Sequence, residues 1–259
     1  MKDFEGHLYV GTSSWISCYV PFKKTDLFRN MATLPSAIAG RYYVANEQEC
    51  AGSCVSFLRD RLFFADDGLA TGPRPAEAYR LFDRLAAEVP AGSERVLFLP
   101  WMYGERTPID DHSIRGAFLN ISLKTSRPCL IRAVLEGVAY NSRWLLECVE
   151  HFCGRRFEWL NFIGGGARSE VWCQIFADVL NRTIRAVKEP VQANTRGAGL
   201  VGAVALRSLS FSDIGRCVEI GATYRPNPAN RAIYDGLFGE FVKFYKRNKS
   251  MFGRLNPPA

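Results

Sequence analysis

The chain has 259 residues, enough for one large domain or two small ones. Apolar residues make up 47% and charged residues 23%, a globular balance that excludes a disordered or low-complexity protein. The net charge is +7 but unevenly placed: residues 1–100 carry 11 basic and 12 acidic side chains, residues 201–259 carry 9 and 4.

In chain order, HLYVGTSSWISCYV (7–20) reads as two extended runs joined by the small-residue turn Gly11, Thr12, Ser13, Ser14. ECAGSCVSFLRDRLFF (49–64) reads as a helix, as does PAEAYRLFDRLAAEV (75–89), with Pro75 suited to its first turn. Residues 68–75 read as a loop. ERVLFLPWMYGE (94–105) is a short buried strand closed by Pro100 and Gly104. CLIRAVLEGVAYNSRWLLECVEHF (129–152) places Ile131, Val134, Leu135, Val138, Leu145, Leu146 and Val149 on one helical stripe. EWLNFIGGG (158–166) is a strand and a turn. SEVWCQIFADVLN (169–181) is a helix with Ser169 as its N-cap. TIRAV (183–187) is a strand and RGAGLVGAVALRSL (196–209) a small-residue helix. PANRAIYDGLFGEFVKFYKRNK (228–249) is the last helix. Strands alternating with helices predict one α/β domain, a sheet covered by helices.

No run of 18 apolar residues spans a membrane, and MKDFEGHLYV lacks the apolar stretch of a secretory signal, which points to the cytoplasm. The eight cysteines (18, 50, 54, 129, 148, 153, 173 and 217) form no CxxC pair. Cys50 and Cys54 stand one helical turn apart, but no second pair completes a metal site, so reduced, packed thiols are expected. The basic stretch KFYKRNKSMFGR (243–254), with aromatic residues interleaved, is read as the solvated end of the last helix rather than a nucleic-acid contact. Asp110, Asp111 and His112 are the one acidic and histidine cluster, read as a solvated acidic loop rather than a catalytic set. Neither His7, His112 nor His151 adjoins a nucleophile motif.

Gly164, Gly165 and Gly166 close a strand before a helix. Glycine lets a ligand approach the backbone and permits positive φ, and a strand-to-helix turn aims N–H groups at one place. A tight turn needs the same residues. GxxxxGK[ST] is absent, and GxGxxG fails because Ser169 stands at its third glycine. Gly11, Thr12 and Ser13 form a second turn rich in hydroxyls, a possible phosphate cradle or a plain hairpin. Gly52 opens a helix. Gly197, Gly199 and Gly202 lighten one helix face, which predicts close packing on the sheet.

These features together resemble the C-terminal half of the FGGY carbohydrate kinases, relatives of actin and hexokinase. Seven blocks carry the resemblance in order: HLYVGTSSW, CAGSCVSFLRD, FLPWMYGERTPIDDHSIRGAF, RAVLEGVAYNSR, FIGGGARSEVWCQIFADVLNRTIRAV, RGAGLVGAVAL and YRPNPANRAIYD. GERTP with RGAF, and GGGARS followed by Trp172, lean toward the xylulokinase-like branch. The resemblance implies an actin-like, RNase H-like fold: a mixed sheet with helices on both faces. It implies ATP, brought with Mg²⁺, and a sugar or polyol acceptor.

By the same resemblance, Gly11, Thr12 and Ser13 are the second phosphate loop, with Thr12 on the γ-phosphate and Gly11 giving it room. Gly52 lines the nucleotide pocket and Ser56 makes a polar contact there. Gly165, Gly166 and Ala167 are the adenosine loop, and Gly197, Gly199 and Gly202 belong to a helix at the interdomain hinge. Glu170 departs from relatives that carry an asparagine able to touch adenine. Arg196 approaches a phosphate or caps a helix. The family's general-base aspartate lies in a GGGD-like segment upstream of the first block, and MKDFEG holds no such segment, so Asp3 is not given that role. The expectation is therefore an ATP-binding half, 1–259, without the sugar-binding domain, inactive alone and prone to self-association through an uncovered interdomain face. A stand-alone nucleotide-binding module of regulatory or scaffolding role is the alternative. Neither nucleic acid nor membrane is expected as a partner.

Overall fold

The computed structural model describes residues 2–69 and 73–257. Of the loop read at 68–75, residues 70–72 lie outside the described residues. The chain opens with β1 (Gly6–Val10), β2 (Ser14–Ser17), β3 (Tyr19–Val20), β4 (Thr25–Asp26), β5 (Met31–Pro35) and β6 (Tyr42–Ala45). Then come α1 (Gly52–Phe57), continued by a wider helical turn to Phe63, α2 (Ala78–Ala87), β7 (Leu97–Leu99) and β8 (Ala117–Leu119). The rest is α3 (Arg127–Cys153), β9 (Trp159–Ile163), α4 (Glu170–Leu180), β10 (Thr183–Val187), α5 (Ala193–Ala205), β11 (Ile220–Tyr224) and α6 (Arg231–Leu255).

The main sheet runs β11-β10-β9-β1-β2. Its three inner strands are parallel and both edge strands antiparallel, the mixed sheet expected. Alternation sends Leu8, Val10, Leu160, Phe162, Ile184 and Ala186 to one face, where all are buried. α3 and α4 pack together there. The register Gly6↔Leu160 to Tyr9↔Ile163 sets the C-terminal tips of β1 and β9 side by side. Both glycine turns therefore leave the same edge of the sheet, the end where open α/β sheets take their ligands.

α3 is the spine. Its start is fixed by Ser126 Oγ, which accepts from Cys129 N at 3.3 Å, and by Pro128 in the first turn. Its end is fixed by Gly154 in the left-handed region, φ 64°. α1, α2, β7 and α6 pack around it. A buried cluster ties α3 to α6: Glu136 accepts from Gly92 N (3.0 Å), Ser93 Oγ (2.7 Å), Arg132 Nε (2.7 Å) and Tyr234 OH (2.9 Å).

Three differences from the sequence reading have physical causes. Residues 21–48 carry no alternation long enough to read, yet supply β4, β5 and β6, which with β3 form a four-stranded antiparallel sheet, β3-β6-β5-β4, from strands of two to five residues. β8 is likewise short and exists through pairing with β7, while β11, five residues long and not read as a strand, is the antiparallel edge paired with β10. The glycines of α5 do not serve packing on the sheet: α5 buries none of its residues, and a Cβ at Gly197, Gly199 or Gly202 meets no atom within 4 Å.

The basic stretch at 243–254 lies inside α6, with Lys246, Arg247 and Lys249 exposed and Phe252 buried. The eight cysteines are free thiols, and Cys217 is exposed where packing was expected. No group of three metal-ligating side chains exists among the described residues, and no helix there is long and apolar enough to cross a membrane.

Candidate functional site

The turn after β1 is closed by Gly11 N donating to Ser13 O at 2.9 Å. α1 docks on it. Gly52 N donates to Gly11 O (2.8 Å), while Ala51 N, Ser53 N and Ser53 Oγ all donate to Thr12 O (2.9, 3.2 and 3.0 Å). The segment before α1 is held from behind. Gln48 N and Ser14 O pair at 2.8 Å, and the Gln48 amide donates to Asn141 O on α3 (2.9 Å). Glu105 Oε1 accepts from Glu49 N and Arg106 N (3.0 and 2.9 Å), and Oε2 accepts from Asn141 Nδ2 (2.5 Å). Burial pushes the Glu105 carboxyl up to about 8, although these three bonds favour its charged form.

The three adjacent glycines have three different reasons. Gly164 has φ +91° and lies against Val10, whose carbonyl oxygen would stand 2.5 Å from an added Cβ. An added Cβ at Gly166 would meet Val10 Cγ1 at 2.8 Å. At Gly165 it would meet nothing within 4 Å, in an ordinary backbone conformation. The fold itself does not require a glycine there, and the space beside it is open.

After this turn Ser169 caps α4, its Oγ accepting from Trp172 N (3.0 Å) and donating to Asp83 Oδ1 on α2 (2.7 Å). Asp83 is half-buried, and burial raises its carboxyl above the usual range against the Ser169 bond. On α2 Tyr79 OH meets Ser56 Oγ of α1 at 3.0 Å, and the Arg59 guanidinium lies 4.6 Å over the Tyr79 ring. The contacts close a ring: β1 turn, α1, α2, the glycine turn and back to Val10. Inside it is a cleft of about 680 Å³, the size of a small-ligand site.

Gly11, Thr12, Gly52, Ser56, Gly165 and Gly166 line this cleft together. Ser13, Ala167 and Glu170 do not. Ser13 Oγ turns to Glu47 (3.2 Å), Ala167 is buried under the loop with its carbonyl accepting from Cys173 Sγ (3.6 Å), and Glu170 is exposed on the first turn of α4. Arg196 also lies elsewhere, donating to Lys188 O at 3.1 Å. Ser53, Tyr79, Asp83 and Arg168 line the cleft without having been singled out in the sequence, and Trp172, singled out there only as part of the family resemblance, lines it too. Tyr79 and Asp83 stand four apart on α2, and that spacing of polar groups was the available signal.

The Asp110, Asp111 and His112 cluster is a surface turn. Asp111 accepts from Ser113 N and Oγ (3.0 and 2.6 Å) and from Tyr245 OH (3.2 Å), while Asp110 and His112 are exposed. The carboxylates that line the cleft are Glu77 and Asp83, both on the α2 side. The cleft offers hydroxyls, bare backbone and an aromatic wall, and the carboxylate beside the turn, Glu47, does not line it.

Comparison with known proteins gives a consistent result. Residues 7–206 match the C-terminal domain of the FGGY family of carbohydrate kinases. The xylulose kinase of Staphylococcus epidermidis is 27% identical over 250 residues, covering 95% of this chain and 47% of that protein. The gluconokinase of Bacillus subtilis is 30% identical, covering 88% and 44%. The crystal structure of gluconate kinase from Lactobacillus acidophilus superposes with a TM-score of 0.83 at 28% identity, covering 97% of this chain and 49% of that one. The chain spans about half the length of the curated relatives it matches.

Proposed function

The chain belongs to the FGGY family of carbohydrate kinases, and on that premise we propose that it is the ATP-binding half of an enzyme that transfers the ATP γ-phosphoryl group to a sugar or polyol hydroxyl. One observation carries the reading. The turn at Gly11 and Thr12, the start of α1 at Gly52 and the glycine turn at Gly165 border one cleft, and Gly165 faces it with no Cβ in the way. In this reading Thr12 donates its hydroxyl to a terminal phosphate oxygen. Gly11 and Gly52 keep side chains away from the phosphates, and Gly165 and Gly166 lie along the nucleoside. Mg²⁺ arrives with ATP and offsets the phosphate charge.

Phosphoryl transfer needs a carboxylate to accept the proton of the sugar hydroxyl. The carboxylate beside the turn, Glu47, is engaged by Ser13 Oγ and Arg106 (3.2 and 2.7 Å) and does not line the cleft, so we assign that base and most sugar contacts to a partner domain outside these 259 residues. The relatives named above suggest a pentulose or a sugar acid as acceptor, and a cytoplasmic location belongs to the same proposal. α5, with Val201 and Leu206 exposed, is offered as part of the surface that domain covers, and as a face for self-association without it.

The test is calorimetric titration of the 259-residue chain with ATP and ADP, beside a coupled assay of ATP consumption with xylulose and gluconate. Saturable binding of both nucleotides without sugar-dependent turnover is expected. Absence of nucleotide binding sinks the proposal. Full turnover by this chain alone shows that the base lies within it.

A further inference from the structure

The α2 side of the cleft carries a feature that a phosphate site does not explain. Tyr79 and Asp83 lie one helical turn apart, about 6 Å along the axis. Tyr79 is met by Ser56, itself one turn beyond Gly52 on α1. Asp83 stands at the glycine turn, bonded to Ser169 three residues after Gly166, where the nucleoside lies in the reading above. Its Oδ1 is occupied by the Ser169 hydroxyl, whose own acceptor capacity is used by Trp172 N. Its Oδ2 has no hydrogen-bond partner among the described residues. Arg80 nearby is exposed and paired with Glu77 at 3.1 Å, and Arg168 is exposed.

Ionised, this oxygen only accepts hydrogen bonds. It repels phosphate and ring carbonyls and favours an N–H group. We propose that Asp83 selects the base: its Oδ2 accepts a hydrogen bond from the exocyclic amine of a purine, so that the cleft takes adenine nucleotides in preference to hypoxanthine nucleotides. The inference rests on the nucleotide-binding reading above. It assigns base selection to Asp83 rather than to Glu170, which faces solvent.

Because Ser169 holds Oδ1, the substitution Asp83→Asn keeps that bond and presents an amide donor where Oδ2 was. The experiment measures affinities of the 259-residue chain for ADP, IDP and 2′-deoxy-ADP, in wild type and in Asp83→Asn. The wild type is expected to bind ADP about tenfold or more tighter than IDP, the range of one hydrogen bond to a charged group. In Asp83→Asn that ratio is expected to collapse toward one or invert, with 2′-deoxy-ADP following ADP throughout. The wild-type ratio stands alone should the variant fold poorly. Equal wild-type affinity for ADP and IDP overturns the selection by Asp83 while leaving the nucleotide site in place. Selective loss of 2′-deoxy-ADP, restored to parity in the variant, gives the carboxylate to the ribose and also overturns it. Binding of none of the three overturns both this inference and the reading beneath it.

Discussion

The amide of Gly52 donates to the carbonyl of Gly11 at 2.8 Å, and a Cβ on Gly52 would collide with that same oxygen. The first helix and the first turn are thus joined at a point where only glycine fits. Gly52→Ala is expected to push α1 off the turn, destabilising the protein by about 1–3 kcal/mol as overpacking does. It should also weaken nucleotide affinity, since Thr12 and Ser53 move with the joint. Chemical denaturation and calorimetric titration of the same preparation read both effects.

Gly165→Val separates binding from folding. A Cβ added here meets no protein atom within 4 Å, at a position that lines the cleft, so stability should change by less than about 1 kcal/mol while ADP binding is lost. Gly164→Ala is the control with the opposite profile. Positive φ and the Val10 carbonyl should cost about 1–3 kcal/mol of stability. A Gly165→Val protein that binds ADP normally shows that no ligand lies against this turn.

Glu105 gives a pH dependence of definite sign. Its carboxyl rises from an ordinary value of 4.5 to about 8 in the folded protein, chiefly through burial. Between those values the folded state holds a proton that the unfolded chain has released. Its contribution to stability is therefore full below about 4.5, falls as pH rises, and is gone above about 8. Urea midpoints measured at intervals from pH 5 to 8 should fall more steeply in wild type than in Glu105→Gln. Parallel slopes refute this.

Arg132 and Glu136 form a buried pair, with Tyr234 and Ser93 completing the carboxylate's bonds. Burial raises the Glu136 carboxyl, and the Arg132 guanidinium opposes that rise. Arg132→Met leaves a buried carboxylate without its cation, at a cost of about 3–5 kcal/mol. Adding Glu136→Gln should recover a good part of the loss. A double-mutant cycle in urea tests the coupling, and additive costs would show that the two residues act separately.

Much of this protein is legible locally. The stripe along α3 is periodic and short-range, so it stands in the sequence as it stands in the fold. The same holds for Ser169 at the start of α4 and for the two glycine turns. Strands of two or three residues such as β4 and β8 leave no such trace, because pairing rather than propensity makes them.

The sequence by itself determined most of the helices and the two glycine turns, and left open whether a ligand or a tight turn uses the bare backbone at Gly11 and Gly165. Only the tertiary structure decided that Gly11, Gly52 and Gly165 meet. The parallel register of β1 with β9 joins distant parts of the chain, and no local pattern encodes it. It also decided which neighbours stay out. Ser13, Ala167 and Glu170 adjoin the cleft residues in sequence, but successive residues of a turn point in different directions, and theirs lead to Glu47, into the core and to solvent. Asp83 enters the cleft because α2 packs across from the glycine turn and meets Ser169, a contact between elements that share no sequence pattern.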